Sequence, residues 1–313
     1  MTKGTAALRL PARKKTWAEL IARDFKMNKY KYLLVLPVLI YLAVFAYKPM
    51  YGLLIAFKNY RPRLGIAGSK WVGLQNFQNF FQDVYFWRLL RNTLSISLLT
   101  IAFGFPAPII LALLLNEVRN TSFKRTVQTV TYMPYFISMV VACSLVKDYC
   151  QSNGLFSMLL GTNKNYLTDS NYFYLIYVVS DIWQFVGWNS IIYLAALSGI
   201  DQEQYEAARI DGAGRFKQIL HITIPGIAPT IVVLFILRMG NVLNVGFEKV
   251  LLLYTEATYD VADVISTYVY RRGILKADYS YGAAVGLFNS VVNVIFLVST
   301  NYMSKKFNQG GLF

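Results

Sequence analysis

The chain has 313 residues, 56% of them hydrophobic and only 15% charged, with a mean hydropathy of +0.41. A soluble domain is about 45–50% apolar and about 25% charged, so the composition excludes an ordinary soluble domain and favours a membrane protein. The net charge of +15, from 31 Lys+Arg against 16 Asp+Glu, would suggest nucleic acid in a soluble chain; beside long apolar runs it reads as topogenic charge facing anionic lipid, and no nucleic-acid partner is expected.

Residues 1–31 are basic, with Lys3, Arg9, Arg13, Lys14, Lys15, Arg23, Lys26, Lys29 and Lys31 against Glu19 and Asp24. Trp17, Leu20, Ile21 and Phe25 share one face, the pattern of an amphipathic helix lying in the inner membrane interface. The apolar run that follows exceeds a signal peptide's core and no small-residue cleavage site follows it, so a cleavable signal is not expected. The basic tail places the N-terminus in the cytoplasm.

Residues 32–313 read as one membrane domain with six apolar spans, each reaching about 20 residues, the length that crosses roughly 30 Å of hydrocarbon. The first covers about 33–57, with Lys48-Pro49 near its far end. The segment 58–88 should then lie outside, with Trp71, Phe77, Phe80 and Phe81 suited to the interfacial aromatic belt. It also holds Lys58, Arg61, Arg63 and Lys70 against Asp83 alone, which breaks the positive-inside pattern. The second span, about 93–115, contains Gly104, Pro106 and Pro108, so it should pack inside the bundle where neighbours satisfy the freed carbonyls. A basic turn with Arg119, Lys124 and Arg125 leads to a third span, about 126–146, bent at Pro134. Residues 148–171 read as an external loop holding a short helix.

The fourth span, about 172–197, is unusually polar. A charge at mid-bilayer costs about 2.5–3.5 kcal/mol on insertion scales, so such residues face the bundle interior or water. Asp181 here and Arg238 on the fifth span are the ionised candidates for a polar pathway; equally, they could pair with each other or sit near an interface. A polar ligand held there would be gripped by aromatic faces and by amide and hydroxyl groups, which adds Trp183, Gln184, Trp188, Asn189, Asn241 and Asn244. Helix packing competes as the reading for Trp188, and interhelical hydrogen bonding for the asparagines. The fifth span covers about 227–243, or extends to 253. The segment 254–280 should be external. The sixth span, about 281–302, carries Gly282, Ala283, Ala284 and Gly286, small enough for close helix approach. Lys305 and Lys306 close the chain on the cytoplasmic side.

Between spans four and five lies a polar interval, about 200–226, that organises the rest. Asp201 can N-cap a short helix whose first turns carry Glu203 and Glu206 at the positive end of its dipole. Gly212 and Gly214 permit a sharp change of direction, and Ala207, Ala208 and Ala213 let another protein approach. Phe216, Ile219, Leu220 and Ile224 follow at near-helical spacing before Pro225 and Pro229. Glu206-Ala207-Ala208, Gly212, Ile222 and Pro225 fall at the spacings of the E-A-A loop in the membrane subunits of binding-protein-dependent ABC importers, which the chain resembles from about residue 30 onward. Ile224 stands where the pattern has Leu. The stretches IYLAALSGIDQEQYEAARIDGA and WVGLQNFQNFF are similar to the carbohydrate branch, and YDVADVISTYVYRRGIL resembles permeases for oligosaccharides and polysaccharide fragments.

The resemblance implies an all-α type I importer permease with a cytoplasmic coupling helix, in the cytoplasmic (inner) membrane with both termini inside. It implies that Glu206, Ala207, Ala208, Asp211, Gly212, Ala213 and Gly214 contact an ATPase. The implied partners are a second homologous permease, two cytoplasmic ATPase subunits, an extracytoplasmic solute-binding protein and the lipid bilayer. ATP and Mg would be bound by the ATPases, and no cofactor by this chain. The basic residues at 58–70 could favour an acidic substrate, such as a uronate-containing, alginate-like oligosaccharide, or contact an acidic binding protein or lipid.

The chain has no G-x-x-x-x-G-K-[ST], G-x-S-x-G or H-E-x-x-H motif, so neither a catalytic nor a metal site is expected. His221 reads as a surface or packing residue, and Cys143 and Cys150 as small apolar ones. An ion-coupled secondary sugar transporter and a membrane-bound carbohydrate enzyme remain alternatives. The first usually carries inverted repeats, which are not seen, and the second wants a nucleophile with its base, or a metal cluster.

Overall fold

The computed structural model describes residues 16–306 and 311–312, with the side chains of residues 18–22 outside the description. The expected roles of Lys3, Arg9, Arg13, Lys14 and Lys15 therefore fall outside the described residues, as do the side chains of Leu20 and Ile21. The described residues are almost wholly helical, apart from a two-stranded antiparallel ladder pairing Lys58–Asn59 with Lys70–Trp71.

Two compact units divide at Leu54/Ile55. The first is dominated by α1, Trp17–Leu42, kinked at Asn28, whose φ of −110° and ψ of 20° are non-helical. The division expected at residue 31 falls inside this helix. Asp24 accepts hydrogen bonds from the Tyr32 hydroxyl and, at 2.7 Å, from the Asn28 amide.

The second unit contains α2 (Phe86–Leu99), α3 (Pro106–Glu117), α4 (Thr121–Tyr132), α5 (Met139–Cys150), α6 (Ser170–Ser198), α7 (Gln202–Ile210), α8 (Arg215–Gln218), α9 (Ile224–Met239), α10 (Phe247–Leu253) and α11 (Tyr279–Lys306). Among the described residues five stretches are long and apolar enough to cross a membrane: Arg23–Phe57, Phe86–Glu117, Ser170–Ser198, Arg215–Met239 and Tyr279–Lys306. α2 and α3 make one such stretch. They are joined by a widened turn, Thr100–Gly104, that leads into Pro106, a proline at a helix start where its missing N–H does least harm.

The third expected span is more than bent. Thr121–Phe136 and Met139–Leu159 meet at 101°, and the pair gives a sixth crossing only if taken together. Pro134 sits in a tight turn, Met133–Phe136, after which Ile137 is extended and the Ser138 hydroxyl caps α5 through the Val141 amide. The fifth span also stops earlier than its hydropathy allows. α9 ends at Met239, the chain turns, and the Leu243 amide donates to Asn293 Oδ1 of α11 at 3.0 Å. The apolar run to residue 253 becomes a separate helix, α10. The short helix expected within 148–171 is Leu155–Leu159.

α6 is the central post. It packs along α3, α4 and α9, and at Gly187 it touches α4 so closely that a Cβ there would lie 2.0 Å from the Thr131 carbonyl oxygen. The core follows it. Phe173, Tyr177 and Val178 pack with Val250 and Leu253 of α10, and Tyr193 and Leu197 pack with Ala112 and Ile227. Cys143 and Cys150 are buried apolar residues of this kind, and free.

Candidate functional site

Two features stand out: a lever between α6 and α9, and a cavity between α2, α6, α9 and α10.

The lever begins where α6 ends. Asp201 is extended, and its carboxylate accepts from the Glu203 amide at 3.0 Å, capping α7 as its sequence dictates. α7 closes with the Asp211 amide on Ala207 O at 3.0 Å and the Ala213 amide on Ala208 O at 2.8 Å. Between them Gly212 takes φ of +75°, the left-handed conformation that favours glycine and that satisfies helix-end carbonyls. Gly214 is an ordinary extended residue that starts α8. The turn is stapled by Gln218 Nε2 on Ala213 O at 2.8 Å, and α7 is tied to the next segment by the Tyr205 hydroxyl on Thr223 Oγ1 at 3.0 Å. His221 is exposed, with Nδ1 3.0 Å from the Lys217 carbonyl oxygen, as a surface residue would be.

The lever is folded on itself but open outward. Glu206, Ala207, Asp211, Gly212 and Gly214 are exposed, while Ala208 and Ala213 are half-buried. Beside Gly212, Ile210 is 87% exposed and Phe216 78% exposed. A carboxylate, a left-handed glycine and two uncovered apolar side chains on one short helix-turn are suited to docking in a groove of another protein.

The opposite end of the stretch Phe86–Glu117 is built differently. Thirty-two helical residues place it on the order of 45 Å from the lever, near which Glu117 lies 3.9 Å from Arg215. There Asp263, fully buried, accepts two parallel bonds from Arg271 at 2.9 and 2.6 Å and one from Thr267 at 2.8 Å, with Arg88 3.5 Å away. Asp83 accepts from Arg272 at 2.6 Å and from the hydroxyls of Tyr268 and Tyr281 at 2.7 and 3.0 Å. Burial works to raise the Asp83 carboxyl, but the Tyr85 amide, the two hydroxyls and the Arg272 charge outweigh it and hold it below its ordinary value. This clasp locks the segment 254–280 to α2 and α11.

The cavity has a volume of about 550 Å³. Its walls bring together Asp181 and Asn189 of α6, Arg238 of α9, and Asn241 and Asn244 of the turn that follows, five of the eight pathway candidates. Asp181 does not pair with Arg238. Its carboxylate lies 3.2 Å from Lys249 Nζ, and that lysine is 2% exposed with its ammonium 4.7 Å from the Tyr177 ring. Asn241 Nδ2 donates to Leu237 O at 3.1 Å, and Asn244 Nδ2 to Asn241 Oδ1 at 3.2 Å, so part of their capacity closes the end of α9.

The other three candidates lie outside this cavity. Trp188 stacks flat on Tyr135, with ring centres 4.3 Å apart. Gln184 is buried and faces Ile137 O at 3.4 Å. Trp183 lines a second, apolar hollow of about 520 Å³ with Tyr149, Phe156 and Tyr166. Lys249 and Tyr177 were not foreseen from the sequence. The available signal was a lysine inside the apolar run from 242 to 253, which is costly unless paired.

Comparison with known proteins identifies the family of the chain as a whole. Residues 104–309 match the family described as binding-protein-dependent transport system inner membrane component. The chain is 48% identical to protein LplB of Bacillus subtilis, over 95% of this chain and 94% of that one. It is 45% identical to the polygalacturonan/rhamnogalacturonan transport system permease protein YteP of the same organism, over 91% of each. Among solved structures it resembles a chain of a bacterial ABC transporter that imports the acidic polysaccharide alginate, with a TM-score of 0.86, 42% identity, and 92% of this chain and 99% of that one covered. A second structure, of a bacterial alginate ABC transporter with a periplasmic protein bound to alginate pentasaccharide, gives a TM-score of 0.87 at 41% identity, covering 94% and 100%.

Proposed function

The chain belongs to the binding-protein-dependent transport system inner membrane components, and we propose that it is the permease subunit through which an ATP-driven importer takes up oligosaccharides or polysaccharide fragments, uronate-containing ones among them. The observation that carries this reading is the lever. Its capped helix, its left-handed Gly212 and its uncovered Ile210 and Phe216 present a docking surface at one end of a continuous helical stretch.

In this reading the chain pairs with a second, homologous permease, and two ATPase subunits on the cytoplasmic side bind ATP and Mg. Both termini lie in the cytoplasm. A solute-binding protein delivers the sugar at the clasp end. Glu206 meets a basic residue in the ATPase groove, and Ala207, Ala208, Asp211, Ala213 and Gly214 line the contact. Closure of the ATPase pair on ATP then pulls the lever. Because α7 is tied to the base of α9 through Tyr205 and Thr223, the pull reaches α9, one wall of the cavity. Rocking of the helices turns the cavity outward, and hydrolysis resets it. Asp181, Asn189, Arg238, Asn241 and Asn244 line the sugar's path, with their charges and amides facing a space of oligosaccharide dimensions.

The names of similar proteins supply the substrate class: polygalacturonan, rhamnogalacturonan and alginate are acidic polysaccharides. The test is ATP-dependent uptake of neutral and uronic oligosaccharides by the complete importer in proteoliposomes. Uptake should require the ATPase subunits and disappear with Glu206→Ala together with Gly212→Ala. Uptake by the permease without ATPase, under an ion gradient, would refute the reading.

A further inference from the structure

We propose that Arg238 is the residue that recognises a sugar carboxylate inside the cavity, and that Asp181 withholds Lys249 from that task. The inference rests on the importer reading and goes beyond it by dividing the cavity's two cations between different jobs.

Three ionised side chains line the cavity: Asp181, Arg238 and Lys249. Lys249 is spent. Its ammonium is buried, paired with Asp181 at 3.2 Å and set over the Tyr177 ring at 4.7 Å. That pair joins α6 to α10 across 68 residues of sequence and holds the cavity's wall together. Arg238 faces the same space without an ion pair or side-chain hydrogen bond to any described residue. The cavity wall therefore carries one uncompensated positive charge. A charge in such surroundings keeps water or takes an anion. A guanidinium offers a planar fork that matches a carboxylate with two parallel bonds. Asn189, Asn241 and Asn244 lie on the same walls and can serve the hydroxyls beside that carboxylate. The ligand that fits is a uronate residue of an oligosaccharide, one carboxylate at a time.

The test uses the complete importer, with the same binding protein and ATPases throughout, so that delivery preference cancels between variants. The probes are a uronate trisaccharide and its fully methyl-esterified form. Arg238→Gln should lower uptake of the free acid by about tenfold or more, the scale of a lost charge-assisted pair, while changing uptake of the ester less than about threefold. In the double variant R238Q/D181N, which also loses the contact between α6 and α10, total uptake should fall further, but the ratio of acid to ester uptake should recover several-fold, because Lys249 is then freed to serve. A structural role for Arg238 would depress both probes equally, and would not be relieved by a second change. Acid uptake unchanged in R238Q overturns the inference. So does failure of R238Q to co-purify with the second permease, which would mean that Arg238 pairs across the subunit boundary. If the wild type imports only neutral sugars, this inference falls and the importer reading stands. If it imports no oligosaccharide at all, the importer reading falls with it.

Discussion

The clasp around Asp263 and Asp83 and the lever around Gly212 sit at opposite ends of the second unit and solve opposite problems. In the clasp every carboxylate is saturated: Asp263 is buried under Arg271, Thr267 and Arg88, and Asp83 under Arg272 and two tyrosines. In the lever, hydrogen bonds are local, within about twenty residues, and large apolar side chains are left uncovered. One end is built to stay put once folded. The other is complete in its backbone and open at its surface, as the proposed docking role requires.

Breaking the clasp should have the largest effect on stability. Asp263→Ala strands the Arg271 and Arg88 guanidinium groups beside a buried gap, and loss of one partner of a buried pair costs about 3–5 kcal/mol. Thermal unfolding of the detergent-solubilised complex should shift strongly downward. A shift no larger than that of a surface variant would remove the contrast between the two ends.

Gly212→Ala comes next. Nothing lies within 4 Å of the added Cβ, so the penalty is purely conformational, about 1–2 kcal/mol for an L-residue in the left-handed region. Unfolding should respond modestly and ATP-driven uptake markedly. Glu206→Ala sharpens the distinction further. Its side chain is exposed, so stability should stay within about 0.5 kcal/mol of wild type, while uptake falls about tenfold or more through a lost interfacial charge contact. Equal loss of stability and uptake in this variant would mean that the lever is structural.

The smallest effect concerns acid. Because the folded Asp83 carboxyl lies below its ordinary 3.8, its stabilisation is complete above that value and is lost as pH falls through the folded one. Between pH 7 and 5 unfolding temperatures should therefore show no pH dependence due to Asp83, whose contribution is full and constant there. Asp83→Asn should flatten the acid limb below about pH 4, a window set by the cited shift. A dependence centred near neutrality would assign the response to another group.

The lever was the more legible of the two functional features because its information is contiguous. A capping Asp201, a carboxylate in the first turns, a glycine after the helix and prolines beyond it act on neighbours a few residues away, and their spacing survives into the structure unchanged. The spans were legible for the same reason, with two exceptions. Pro134 was read as a bend and produced a 101° break, because the residues after it go extended and a serine starts a new helix. The run from 227 to 253 was read as a span that reached 243 or 253, yet the helix ends at Met239, where Asn293 of α11 captures the Leu243 amide. Hydropathy measures affinity for lipid and is blind to a hydrogen bond offered from another helix.

The cavity was half legible. Polar residues inside apolar runs marked Asp181, Asn189, Arg238, Asn241 and Asn244, but Gln184, marked the same way, and Trp183 and Trp188, marked as aromatic faces, lie elsewhere. The sequence by itself determined that helices cross a membrane, roughly where each one lies, and where the lever turns, since each depends on interactions within one or two helical turns. Only the tertiary structure decided that Asp181 belongs to Lys249 and leaves Arg238 unmatched. That choice joins residues 68 positions apart, and it depends on how α6, α9 and α10 are rotated about their axes, a quantity fixed by packing.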